Sequence, residues 1–162
     1  WGFAPVAEAL VEQAHAAGPA LRNQGATRLL SSPLRRARET AQAVGDALGL
    51  EAEEIDYTGE LTSGESFEQA VERVQRLKAE LESGEDGELP LLVTHGIFTR
   101  FFLLDSVLGE RFEAPMAAGL WNLGSHNCGL SVFAHGESRD PLGQPIPGWT
   151  CLTWMERPWS RP

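Results

Sequence analysis

Apolar residues along this chain occur in two spacings, and the spacings predict its elements. Short, nearly unbroken apolar runs lie at Thr27-Arg28-Leu29-Leu30-Ser31, Leu89-Pro90-Leu91-Leu92-Val93 and Gly129-Leu130-Ser131-Val132-Phe133-Ala134. Their length and polar flanks predict buried strands. Trp149-Thr150-Cys151-Leu152-Thr153-Trp154 alternates with period two and predicts a fourth. Between them apolar residues recur every three or four positions, which predicts helices. Such faces are Val6, Ala9, Leu10, Ala14 and Ala17 within 5–23, and Phe67, Ala70, Val71, Val74 and Leu77 within 66–81. A third helix is expected to start at Ser32-Pro33, with Ser32 as N-cap and Pro33 in the first helical position, and to run past Arg36, Thr40, Val44 and Leu48 to Gly49. A fourth covers 97–108 and stops at Gly109. Residues 51–64 read as an acidic loop with one extended piece, 83–88 as a turn, and 135–148 as a Gly- and Pro-rich excursion. Residues 113–123 carry no assignable period. There is no repeat and no linker, so 1–162 is expected to be a single domain.

Strands alternating with helices predict an α/β fold, a three-layer sandwich with a mainly parallel sheet and helices on both faces. Right-handed crossovers then bring the carboxyl ends of the parallel strands to one edge, where such sheets bind ligands. Two strand-to-helix junctions meet there. One carries Arg36 in its first helical turn, and the other carries Thr94-His95-Gly96. Each has an ordinary reading by itself. Arg36 stands between Arg35 and Arg38 as a solvated helix arginine would, and a histidine at a strand end is most often structural. Together a guanidinium, an imidazole and two helix N-termini form a site for phosphate or carboxylate.

Composition narrows the partners. A net charge of -10 over 162 residues argues against nonspecific nucleic-acid binding and against anionic membranes. It leaves room for a small anion, which needs only two or three local cations. No apolar run approaches the ~20 residues of a membrane span, and no segment reads as a secretory leader. Cys128 and Cys151 are the only cysteines; they lack C-x-x-C spacing and read as buried free thiols. A cytoplasmic protein with no metal and no cofactor is expected.

Ser31-Ser32-Pro33-Leu34-Arg35-Arg36-Ala37-Arg38-Glu39-Thr40-Ala41 and Val93-Thr94-His95-Gly96 resemble the histidine phosphatase, or phosphoglycerate mutase-like, superfamily. Gly64-Glu65-Ser66-Phe67 and His126-Asn127-Cys128-Gly129 are similar to two further family segments, so the resemblance covers most of the chain. It implies a nucleophilic histidine that forms a phosphohistidine on attacking a phosphate ester. Two arginines and a second histidine clamp the phosphoryl oxygens, and an acidic residue protonates the leaving oxygen. By motif, Arg36 corresponds to a clamp arginine and His95 to the second histidine. Glu60 in Thr58-Gly59-Glu60-Leu61 best matches the acid, with Glu54 and Glu65 as competitors. The family's Gly-x-Trp-Glu-Gly continuation after this position is absent, which implies a more open pocket.

The family's Arg-His-Gly motif, with the nucleophile on a central first strand, is not in this sequence. The opening Trp1-Gly2-Phe3-Ala4-Pro5 resembles a point downstream of it. His15 lies mid-helix without the flanking Arg and Gly, and Ser31 and Ser32 lack a Gly-x-Ser-x-Gly elbow. The expectation is an N-terminally incomplete phosphomonoester hydrolase acting on a small phosphorylated metabolite, with the nucleophile outside these residues. An inactive phosphate- or partner-binding module of the same fold and a mutase-type phosphotransferase are the alternatives. The oligomeric state is not predicted.

Overall fold

The computed structural model describes residues 4–157 apart from Glu137 and Pro147. The opening residues Trp1, Gly2 and Phe3, the side chains of Val6, Ala9 and Leu10, and Trp159 lie outside the described residues. Chain order is α1 (Ala4–Leu21), β1 (Arg28–Ser31), α2 (Arg35–Leu48), β2 (Ala52–Glu54), α3 (Phe67–Glu82), β3 (Pro90–Val93), α4 (Gly96–Leu108), β4 (Leu130–His135), β5 (Ser138–Arg139), β6 (Pro145–Ile146) and β7 (Trp149–Glu156). Short 3₁₀ helices follow β2 and α4, and residues 113–123, whose pattern predicted nothing, contain a 3₁₀ helix over Ala114–Asn122.

β1 is central in a parallel sheet of order β2-β1-β3. Its neighbours in the strand sort to opposite faces, as a two-residue period demands. Leu29, with Leu91 and Val93 of β3, packs against Ala17 and Leu21 of α1 and Val44 of α2. Leu30, with Leu92, packs against Ala70, Val74 and Leu77 of α3 and Phe98, Phe101 and Phe102 of α4. The result is the expected three layers, α1 and α2 on one face and α3 and α4 on the other. Burying these apolar faces is the main driving force, at roughly 25 cal/mol per Å².

Local signals explain most helix ends. Ser66 caps α3 in a reciprocal box, its Oγ accepting from Gln69 N–H while the Gln69 side chain accepts from Ser66 N–H. Gly49 ends α2 in the left-handed conformation (φ 72°) that favours glycine. The start of α2 differs from the expectation. The N-cap is Leu34 rather than Ser32, and Pro33 stands outside the helix. Ser32 still accepts the Leu34 N–H at 3.3 Å, but its hydroxyl is committed to a side chain far away in sequence.

β3 pairs with β1 along one edge; among the described residues its other edge carries no ladder. Its residues Pro90–Val93 are only half-buried despite being apolar. β4 and β7 form a separate antiparallel pair, and β5 and β6 turn the 135–148 excursion into a small hairpin. Trp149 packs edge-on against Phe102, 5.3 Å between ring centroids, so it supports the end of the chain rather than the ligand-binding edge. Cys128 and Cys151 are free and partly buried, and burial pushes both thiols upward in pKa. Among the described residues no helix is long and apolar enough to cross a membrane.

Candidate phosphate site

The parallel register of β1 and β3 builds the site. Ser31 pairs with Val93, so the residues that follow leave the sheet side by side at its carboxyl edge. Ser32 N–H donates to Val93 O at 2.9 Å and Ile55 N–H to Ser31 O at 2.8 Å, which extends the sheet geometry one step beyond the strands. His95 is the N-cap of α4 in extended conformation (φ -122°, ψ 159°). Its carbonyl accepts from Thr99 N–H at 3.0 Å and Thr99 Oγ1 at 2.8 Å. The imidazole, which leaves His95 only 6% exposed, meets Ser32 Oγ through Nε2 at 2.7 Å.

Of the three candidate acids the fold brings only Glu60 to His95. Its carboxylate lies at the N-terminus of α4, accepting from Ile97 N–H at 3.4 Å, Phe98 N–H at 3.3 Å and Leu61 N–H at 3.1 Å. The positive end of a helix attracts such a group. Glu54 is exposed and faces Arg38 at 3.5 Å. Glu65 is taken up by Arg73, which holds both its oxygens, Nε to Oε1 at 2.5 Å and Nη2 to Oε2 at 2.8 Å. Arg73 also donates through Nη1 to Tyr57 O and Gly59 O, at 2.8 and 2.9 Å. Thr94 Oγ1 donates to Thr58 O at 2.6 Å. The loop bearing Glu60 is therefore fastened on one side to α3 and on the other to the residue preceding His95.

Arg36 projects from the first turn of α2 into solvent, and its guanidinium has no hydrogen-bond or ion-pair partner among the described residues. It is nevertheless felt at His95. Burial depresses the pKa of this imidazole most, the Arg36 charge adds to the depression, Glu60 opposes it, and Arg73 adds a smaller push downward. The buried His95 imidazole thus lies within electrostatic reach of the exposed Arg36 guanidinium and of Glu60, whose carboxylate takes the first-turn N–H groups of α4. His15 is exposed on α1, and His126 is exposed too; neither has a place in this arrangement.

The electrostatics predict a pH dependence of anion binding. A dianion beside His95 raises its pKa from the depressed free value, so binding takes up a proton. Sulfate stays dianionic over the whole range, and its affinity is expected to rise as pH falls below about 7, then level off below the free imidazole's pKa. Titrations followed by the His95 ring resonances test this; an affinity flat from pH 7.5 to 5.5 contradicts it.

Two of these residues escaped the sequence pattern. Arg73 lies between the apolar positions Val71 and Val74 and looks like any surface arginine of α3. Arg100, buried on α4, donates Nε and Nη2 to Leu123 O at 2.9 and 2.8 Å and Nη2 to Ser125 Oγ at 2.8 Å. It ties residues 123–125 to the first turn of α4. No local signal marks either role, because their partners lie 8 to 25 positions away in the chain.

The family model described as "Histidine phosphatase superfamily (branch 1)" matches residues 5–62 and 55–142. The chain belongs to this superfamily. Proteins named probable phosphoglycerate mutase GpmB, from Yersinia pestis (strain Pestoides F) and Yersinia pseudotuberculosis serotype O:1b (strain IP 31758), are 29% identical over 83% of this chain and 75% of their own. Histidine phosphatase folds among solved structures superpose well. A putative alpha-ribazole-5'-P phosphatase from Escherichia coli gives a TM-score of 0.69 at 18% identity, covering 93% of this chain and 84% of its own. A phosphoserine phosphatase mutant from Entamoeba histolytica in complex with phosphoserine gives 0.69 at 16% identity, covering 92% and 83%. A mycobacterial glucosyl-3-phosphoglycerate phosphatase complexed with VO3 gives 0.65 at 21% identity, covering 89% and 83%. These likenesses show the fold; the superfamily is shown by the family model.

Proposed function

We propose that this histidine phosphatase domain hydrolyses a small phosphorylated metabolite in the cytoplasm through a phosphohistidine. Arg36 and His95 bind and polarise the phosphoryl group, and Glu60 protonates the leaving oxygen. The observation that carries the reading is the convergence at one helix end: His95 caps α4, Glu60 accepts from the same first turn, and the Arg36 charge is felt at the imidazole. Phosphoryl transfer needs positioning and charge neutralisation above all, and these groups supply both.

The nucleophile of this reading is carried by a strand outside these residues, seated against the open edge of β3. Leu91 and Val93 of β3 and Leu130 of β4 pack partly buried against one cluster, while β3 and β4 are unpaired with each other. Half-buried apolar residues beside an unpaired edge favour an additional strand there. The curated relatives named as phosphoglycerate mutases favour, as a second reading, transfer to another hydroxyl. Hydrolysis is preferred because the short loop around Glu60 lacks material to shield a phosphoenzyme from water.

The test is hydrolysis of an aryl phosphate by the product of the complete coding sequence, compared with the 162-residue chain. Turnover by the former with an acid-labile phosphoenzyme, lost in His95→Ala, is the expected result. Fast transfer to an added alcohol with slow hydrolysis would make it a mutase. Sulfate binding without turnover would make it a binding module, and turnover that survives His95→Ala would overturn the site.

A further inference from the structure

Ser32 has no part in the chemistry proposed above, yet it makes the closest side-chain contact of His95. Its Oγ lies 2.7 Å from Nε2, and the serine is 0% exposed. The two residues are 63 positions apart and meet because β1 and β3 run parallel in register, Ser31 opposite Val93. Ser32 is immobile at its backbone, where its N–H donates to Val93 O and its carbonyl accepts from Ser31 Oγ at 3.0 Å.

Counting donors and acceptors gives the direction of the contact. A hydroxyl has one proton and can accept twice. Leu34 N–H already donates to Oγ at 3.3 Å. If Nε2 also donated, the serine proton would be left without an acceptor in a fully buried site, a costly outcome. With Leu34 N–H donating to Oγ and the Ser32 O–H donating to Nε2, every group in the chain is satisfied. We infer that Ser32 is a positioning residue that holds His95 in the Nδ1–H tautomer with its ring fixed, leaving Nδ1–H as the donor offered to the substrate anion. Burial and the Arg36 charge, which keep the imidazole neutral before an anion arrives, fit this arrangement. A methyl in place of the hydroxyl leaves Nε2 without that donor.

The same contact could be taken for a serine nucleophile activated by histidine. The geometry opposes that. An attacking oxygen needs an open in-line path to phosphorus, and Ser32 is fully enclosed with its lone pair engaged by Leu34 N–H.

This inference rests on the reading of His95 as part of the anion site, and the experiment separates the two. Imidazole nitrogen and carbon spectra of the 162-residue chain at pH 8 are expected to show His95 as a single Nδ1–H tautomer. Ser32→Ala is expected to give a mixed tautomer pattern and sulfate affinity weaker by about two- to tenfold, the worth of one hydrogen bond. Ser32→Thr, which retains the hydroxyl, restores the tautomer. If Ser32→Ala does not fold, Ser32→Cys fills the space with a weak donor and should give the same mixture. A positioning role also requires that Ser32→Ala have no effect on sulfate affinity once His95 is alanine. An Nε2–H tautomer in the parent chain, an unchanged tautomer in Ser32→Ala, or an affinity loss that persists without His95 overturns the inference. Failure of sulfate to move any His95 resonance instead overturns the site reading.

Discussion

Replacing Arg73 with alanine is expected to lower the unfolding free energy by about 3 kcal/mol and to release the loop that carries Glu60. Arg73 spends its guanidinium on four contacts, two to Glu65 and one each to Tyr57 O and Gly59 O. Its side chain is 21% exposed and that of Glu65 12%, so the pair is screened far less than a surface ion pair. Truncation leaves a carboxylate and two carbonyls short of donors in a half-buried place, and the cost comes from those orphans. The guanidinium also sits 5.4 Å over the Phe98 ring and loses that contact too. Urea unfolding measures the loss, and adding Glu65→Ala should give back part of it, because the unpaired carboxylate is then gone. The loop effect has its own readout. Glu60 stands one residue beyond Gly59, so hydrogen exchange at Ile97 and Phe98 N–H should accelerate in Arg73→Ala. Unchanged protection at those two amides would show that Arg73 does not hold the acid in place.

Lys78→Met is the second large effect, at about 3–5 kcal/mol of destabilisation. Lys78 Nζ donates to Asp105 Oδ2 at 2.6 Å across the α3–α4 interface, with side chains only 9% and 8% exposed. Gln75 Nε2 reaches the other oxygen at 3.3 Å, and Nζ lies 4.9 Å from the Phe102 ring centroid. Burial pulls the lysine pKa down and Asp105 pulls it back up, the sign of a charge that tolerates its position only because of its partner. Methionine keeps the stem's volume but abandons Asp105 as a buried, underpaired carboxylate. The partner variant separates pairing from packing: Lys78→Met with Asp105→Leu should recover most of the loss, since two apolar residues need no solvation. Equal destabilisation in the single and double variants would mean that the interface depends on shape rather than charge.

Both effects belong to contacts the linear pattern does not mark, whereas the frame around them was readable. The four helices fall where apolar residues recur every three or four positions, and Gly49 and Gly109 stop two of them as expected. The four expected strands, β1, β3, β4 and β7, are found within a residue or two of their apolar runs, whereas β2, β5 and β6 have no such run. These features are local, since a helix face or strand period is set by residues a few positions apart. The start of α2 shows where locality fails. Ser32-Pro33 has the chemistry of an N-cap followed by a first helical proline, but the Ser32 hydroxyl goes to His95 and the helix begins two residues later, at Arg35. A tertiary hydrogen bond outweighed a capping preference worth about 1 kcal/mol.

Among the acids, distance from the Arg36 motif put Glu60 first by resemblance, while the acid-rich stretch kept Glu54 and Glu65 as competitors. The fold ranks them by partner: an exposed arginine for Glu54, Arg73 for Glu65, and the N-terminus of α4 for Glu60.

By itself the sequence determined the superfamily, the layered α/β architecture and the two junctions that bear Arg36 and His95. Each of these is encoded in periodicities or motifs a few residues long, and burial of the resulting faces does the rest. Only the tertiary structure decided which way His95 is held, which glutamate stands beside it and which arginine fastens that glutamate's loop. Those contacts join residues 14 to 63 positions apart through the parallel register of β1 and β3 and the packing of α3 and α4. Hydrogen-bond partners at that separation are fixed by where the chain returns in space, which no stretch of sequence states.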